Sequence, residues 1–146
     1  MRWVLQSDGP FRHWKSANSE IVSEIKYNRE AHTFRIDSGD KRLFFLERTG
    51  FLHHTFLLRT EYSIVAGEIH FSKHGHNGVC FYDGRKFSFE LNNDQLILLQ
   101  KKKTEKLVVT LDDVSETDLF ERCALIFGTV KMLSYRYKPG LKPVAA

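Results

Sequence analysis

Three histidines near the middle of the chain come closest to a metal-binding pattern. His70, His74 and His76 place three imidazoles within one short segment, and they could converge on zinc or copper if the chain folds back there. No carboxylate lies between His70 and His76 to complete a ligand set, and His70 falls within a strand pattern. We therefore predict no metal site. The alternative, a hydrolase or metal enzyme that uses these histidines, predicts bound zinc.

A lysine-rich turn is the best candidate for contact with an anion. A hairpin tip that carries several lysines could touch a lipid head group or a nucleic-acid backbone. The alternative is a solvated turn whose lysines discourage pairing between strands of different molecules. The candidate residues are Lys101, Lys102, Lys103 and Lys106, joined by Arg85 and Lys86 from the preceding hairpin.

Catalytic motifs are not found in the sequence. Cys80 and Cys123 are far apart and have apolar neighbours, which favours buried free thiols, and a buried thiol stays protonated. A Gly-x-Ser-x-Gly elbow, a phosphate-binding loop and a dinucleotide fingerprint are all missing. We predict no catalytic residue, no cofactor and no enzymatic activity.

The elements that must position these side chains are predicted to be short strands. Most of the chain alternates between apolar and polar residues, with turn residues between the runs. Asp83-Gly84 is a favoured two-residue hairpin turn, and Leu43 to Leu46 is apolar enough to predict burial on both faces. We expect Phe44, Phe45, Phe87 and Phe89 to lie in the core. The predicted strands are 11–14, 21–27, 32–37, 41–47, 55–59, 62–71, 78–82, 85–91, 95–100 and 107–111.

The period changes near the end of the chain, where a helix is predicted from Leu119 to Leu133. Its apolar residues cover nearly the whole circumference, so most sides must be buried. Ser115, followed three residues later by Asp118, resembles a capping box. About 10 to 12 short strands at this spacing indicate a closed antiparallel β-barrel, and we place the helix inside it. Residues 1–138 are predicted to form one domain, and 139–146 a flexible tail.

Composition and charge restrict the classes of partner. The formal net charge is +4, from 22 Lys and Arg against 18 Asp and Glu, and it is spread thinly along the chain. A domain that neutralises many phosphates clusters its basic residues more strongly, which argues against nucleic acid. The first residues lack the apolar core of a signal peptide, and no apolar run is long enough to span a membrane. We therefore expect a cytoplasmic protein.

Many short strands followed by one strongly hydrophobic helix resemble the tubby C-terminal-like superfamily, which includes LURP-one-related proteins and phospholipid scramblases. The resemblance is carried by residues 62–69, 77–89 and 118–133. It implies a closed barrel around a central helix. It also implies a lipid-binding or structural role, because tubby domains of eukaryotes bind phosphoinositide head groups through surface Lys and Arg. No phosphoinositide-binding residue can be matched one by one, and the acylation and calcium-binding segments of scramblases are not found.

The functional hypothesis is a non-enzymatic binding or scaffold domain that contacts anionic lipid head groups through its basic loops. The expected partner is therefore an anionic membrane lipid or another protein. The alternative is a carrier that encloses an apolar small molecule inside the barrel, which requires an interior free of the helix.

Overall fold

The computed structural model describes residues 2–16, 24–37, 42–49, 54–101, 104, 106–112, 114 and 117–136, with side chains up to Met132 except that of Asp37. In these ranges the chain forms eleven strands and a helix, so the predicted mostly-β class is confirmed. The predicted tail, 139–146, lies outside them. The elements are β1 (Arg2–Asp8), β2 (Phe11–Ser16), β3 (Glu24–Asn28), β4 (Thr33–Asp37), β5 (Leu43–Thr49), β6 (Thr55–Arg59), β7 (Val65–Phe71), β8 (Asn77–Tyr82), β9 (Arg85–Leu91), β10 (Gln95–Gln100), β11 (Lys106–Leu111) and α1 (Leu119–Arg136).

The strands form a closed barrel, as the sequence predicts. From β1 to β11, each strand pairs antiparallel with the next. The first and last strands then pair in parallel, with Arg2 opposite Thr110 and Trp3 opposite Leu111. This junction removes the free edges that an open sheet would leave. Strand β1 was not among the predicted strands.

Alternation along each strand separates the interior from the outer wall. In β9, Phe87, Phe89 and Leu91 are buried, while the residues between them are exposed. The same rule corrects the expectation for the apolar run in β5. Phe44 is buried as predicted, but Phe45 is 39% exposed, because neighbouring residues of a strand point to opposite faces.

Helix α1 fills the interior of the barrel. Every residue from Cys123 to Met132 is buried, so the helix has no solvent-facing side over this length. At Gly128 the helix approaches the wall closely: a Cβ atom there would lie 2.4 Å from Ile25 Cδ1. The capping residue is Asp118, whose Oδ1 accepts a hydrogen bond from the backbone N of Glu121 at 2.8 Å. The predicted cap, Ser115, lies outside the described residues.

The helix gives the barrel two distinguishable ends. At the helix-entry end, Arg122 Nη1 donates to the carbonyl oxygen of Gly75 in the β7–β8 turn, and Phe120 stacks on His32 after β3. Because successive strands run in opposite directions, the β6–β7 turn (60–64) and the β8–β9 turn (83–84) lie at the other end. We call this the helix-exit end.

Candidate functional site

Two of the predicted anion-contact lysines are neighbours on the outer wall near the helix-exit end. The backbone N of Lys101 donates to the backbone O of Lys86 at 2.8 Å, and both side chains are exposed. Lys106, also exposed, begins β11 opposite Leu99. We call Lys86, Lys101 and Lys106 the lysine face. Among the ion pairs between described residues, none involves these three lysines.

The other predicted members of this group differ in their surroundings. Arg85 is partly buried, lies opposite Tyr82 and already interacts with other groups, so it is less available to a ligand. Lys102 and Lys103 lie outside the described residues. The lysine face therefore contains three of the six residues that were predicted to contact an anion.

Exposed apolar side chains accompany the lysine face, and sequence reasoning missed them. Phe81 is 41% exposed, and Lys86 Nζ lies 5.7 Å from the centroid of its ring. Tyr62, Ile64 and Val65 are also exposed at this end of the barrel. A strand was predicted from Tyr62, but β7 begins at Val65, and the residues before it form a turn. Exposed apolar residues at one end of the barrel make this end a candidate interaction surface.

The three histidines of the metal-binding pattern have different surroundings. His70 is on the outer wall of β7, where its imidazole is hydrogen-bonded to Thr55 Oγ1 at 3.1 Å and to Glu68 Oε2 at 3.1 Å. His74 and His76 are exposed in the β7–β8 turn. In the described part of the chain, no group of three or more His, Cys, Asp or Glu residues comes together as a metal site.

A buried ion cluster occupies the helix-entry end. Glu121, in the first turn of α1, is 1% exposed. One carboxylate oxygen lies 3.5 Å from Arg12 Nε, and the other lies 3.3 Å from Arg29 Nε. The first of these contacts lacks hydrogen-bond geometry, and both of its atoms are buried without a hydrogen-bond partner among the described residues. Three residues far apart in sequence meet here, which no local pattern could indicate.

Opposing effects act on the pKa of Glu121 in this cluster. Burial raises the pKa of Glu121 above its ordinary value, and the nearby Asp118 adds to the increase. The positive charges of Arg12, Arg29 and Arg122 offset part of it. The positive charges of the arginines thus stabilise the ionised form of Glu121, whereas its buried position disfavours that form. The cluster fastens the helix to the wall, since Arg12 belongs to β2 and Arg29 follows β3.

Both thiols are buried and free, as the sequence predicts. Burial raises the pKa of Cys80 far above its ordinary value, and it does the same to the pKa of Cys123. Thiolate is the nucleophilic form of cysteine, so neither side chain is poised for nucleophilic attack.

The chain stands apart in comparisons with known proteins: no family model, no curated protein and no solved structure matches it significantly. The resemblance to tubby-like proteins therefore stays a prediction. Within the described residues, no helix has the length and apolar character needed to cross a membrane.

Proposed function

We propose that this chain is a non-enzymatic binding or scaffold domain of tubby-like build that contacts anionic lipid head groups through the lysine face. The observation that carries the proposal is the side-by-side placement of Lys86 and Lys101, both exposed and near the helix-exit end. Each lysine near an anionic membrane surface contributes about 1 kcal/mol to binding. Neighbouring lysines can therefore give measurable affinity.

The surroundings of the lysine face support an outer rather than an inner binding site. The carrier alternative needs space inside the barrel, and buried helix residues such as Leu125, Ile126 and Phe127 pack there. The surface depressions beside β7–β8 and β8–β11 lie on the outer wall and rim. A barrel built around a central helix is also the architecture that the tubby resemblance implies.

Vesicle flotation tests the proposal. We expect the protein to float with vesicles of phosphatidylcholine that contain phosphatidylserine or a phosphoinositide, and not with phosphatidylcholine alone. The double variant Lys86→Glu/Lys101→Glu should bind at least about tenfold more weakly, because each reversal replaces an attraction by a repulsion. Binding should weaken as the salt concentration rises.

A charge-matched control separates the lysine face from the net charge. Lys26 lies in the middle of β3, four places from β10 in the barrel and away from the turns of the helix-exit end, and Lys73 lies in the β7–β8 turn at the helix-entry end; both are exposed. The variant Lys26→Glu/Lys73→Glu changes the net charge by the same amount and should bind like the wild type. Equal binding by both double variants, or equal flotation with and without anionic lipid, would refute the proposal.

A further inference from the structure

The β6–β7 turn carries two large apolar side chains that are mostly exposed to solvent. Tyr62 is 85% exposed and Ile64 is 62% exposed, the highest values among the large hydrophobic residues that the structure describes. Contact of apolar surface with water is unfavourable, and an exposed patch of apolar residues is a candidate for an interaction surface. Most other large apolar residues of this barrel are buried or partly buried.

Hydrogen bonds close this turn into a defined shape. The backbone N of Thr60 donates to the O of Ile64 at 2.9 Å, and the N of Ser63 donates to the O of Thr60 at 3.0 Å. Ser63 adopts the left-handed conformation, with φ at 60°, which reverses the chain between the two apolar side chains. The turn therefore displays Tyr62 and Ile64 without help from a partner.

Two further contacts fasten the turn to the barrel wall. Glu61 Oε1 accepts a hydrogen bond from the backbone N of Leu43 at 3.0 Å, at the start of β5. Arg59 Nη1 donates to the backbone O of Ser63 at 3.3 Å. A pre-organised turn loses little conformational entropy when it binds, so its apolar contacts are available for affinity.

The turn and the lysine face share the helix-exit end. The register of β7 with β8 pairs Gly67 with Tyr82, so Val65 lies next to the β8–β9 turn, and the lysine face follows on β9, β10 and β11. Strands β6 and β10 are four places apart in the barrel, and at about 4.8 Å per strand this distance is about 19 Å along the wall. One flat surface can therefore touch both.

We infer that residues 60–64 are an insertion loop, in which Tyr62 and Ile64 enter the interfacial layer of an anionic bilayer while the lysine face binds its head groups. This inference rests on the proposed function and adds the orientation of the barrel, with its helix-exit end toward the lipid. Charge complementarity selects the occupant, because the exposed lysines lie at the same end of the barrel as the apolar turn. Tyrosine, with an apolar ring and a polar hydroxyl, suits the boundary between lipid and water.

Fluorescence of single tryptophan substitutions tests insertion directly. Trp3 and Trp14 are buried, so they give a constant background. With vesicles of phosphatidylcholine and phosphatidylserine, Tyr62→Trp should shift its emission to the blue and should be quenched by brominated lipid. The control Val108→Trp, on the outer wall, should show neither change. Val108 on the outer wall is 46% exposed, and Val65 next to the insertion loop is 45% exposed. The control therefore tests position on the barrel and not exposure.

Binding measurements complete the test. Tyr62→Ala/Ile64→Ala should bind about tenfold more weakly, with the salt dependence of the wild type, because apolar contact is lost and the lysines remain. Val108→Ala should bind like the wild type. If the wild type binds, Lys86→Glu/Lys101→Glu releases it, and yet Tyr62→Trp is not quenched, the insertion loop is refuted and the proposed function stands. If the wild type does not bind anionic vesicles, both are refuted.

Discussion

At the residue scale, the buried hydroxyl of Thr129 connects the first strand to the helix. The indole N of Trp3 donates to Thr129 Oγ1 at 3.1 Å, and Thr129 Oγ1 donates to the backbone O of Leu125 at 2.7 Å. Trp3 and Thr129 are fully buried, so no water competes for these groups. A polar group buried without a partner costs more than its hydrogen bond contributes, which makes this hydroxyl a specific link between wall and helix.

We expect Thr129→Val to lower the free energy of unfolding by about 1–3 kcal/mol, because the indole N–H of Trp3 is left buried and unpaired. Valine keeps the volume of threonine but lacks its hydroxyl. Thr129→Ser is the matched control: it keeps the hydroxyl and loses about one methyl group, worth roughly 1 kcal/mol. Urea denaturation measures both variants. A valine variant more stable than the serine variant would contradict the role of the hydrogen bond.

At the scale of elements, α1 and β3 approach each other because Gly128 has no side chain. A Cβ atom at Gly128 would lie 2.4 Å from Ile25 Cδ1 and 2.7 Å from Ile25 Cγ1, which is closer than real Cβ contacts. Alanine is the better helix former by about 1 kcal/mol, so propensity and packing oppose each other at this position. Packing outweighs propensity here, because Ile25 and the helix around Gly128 are both fixed in the core and cannot move apart easily. A side chain at position 128 is therefore unfavourable.

Gly128→Ala should therefore destabilise the protein, by about 1–3 kcal/mol. The variant Gly128→Ala/Ile25→Val removes the Cδ1 atom that would be closest, so its loss of stability should be smaller than the sum of the two single losses. Thermal and urea unfolding of the three variants and the wild type measure this coupling. Additive losses would show that Gly128 does not contact Ile25 closely.

The elements also divide into those that local sequence predicts and those that it does not. The helix was predicted because its apolar residues cover all sides, and the β8–β9 hairpin because Asp83 and Gly84 tolerate the positive φ angles, 52° and 72°, that they adopt. Strand β1 was missed because only Trp3 of its seven residues is buried, so no alternation marks it. It exists through pairing with β2 and with the distant β11, and pairing of that kind leaves no local signal.

In the candidate site, too, some features were predictable from local sequence and others were not. Lysines were predicted to be exposed because charge requires it, and the described members of the lysine face are exposed. Tyr62 and Ile64 were assigned to a strand because they are two residues apart, the period of a strand. The turn they occupy is held by Glu61 bonded to Leu43, a contact between residues 18 positions apart. Local patterns do not contain such contacts.

At the scale of the whole molecule, the two ends of the barrel carry different groups. The helix-exit end carries the lysine face and the apolar turn, both exposed. At the helix-entry end, the contacts of Glu121 with Arg12 and Arg29 join the start of α1 to β2 and to the segment after β3.

The fastened end should make the stability of the whole barrel depend on pH. The pKa of Glu121 is raised in the folded state, so between the ordinary and the raised value the folded protein holds a proton that the unfolded chain has lost. This contribution to stability is full below the ordinary pKa and is lost as the pH rises through the raised pKa. Asp118, Arg12, Arg29 and Arg122 modulate the raised value.

Glu121→Gln removes this titration, so the free energy of unfolding of the variant should fall less than that of the wild type as the pH rises through this window. Urea denaturation at a series of pH values measures the two slopes. The control Glu90→Gln makes the same chemical change at an exposed position on the outer wall, and it should keep the wild-type slope. If Glu121→Gln and Glu90→Gln give the same slope, protonation of Glu121 is not coupled to the stability of the fold. Because glutamine also removes the negative charge that faces Arg12 and Arg29, the comparison uses the slopes of the variants and not their absolute stabilities.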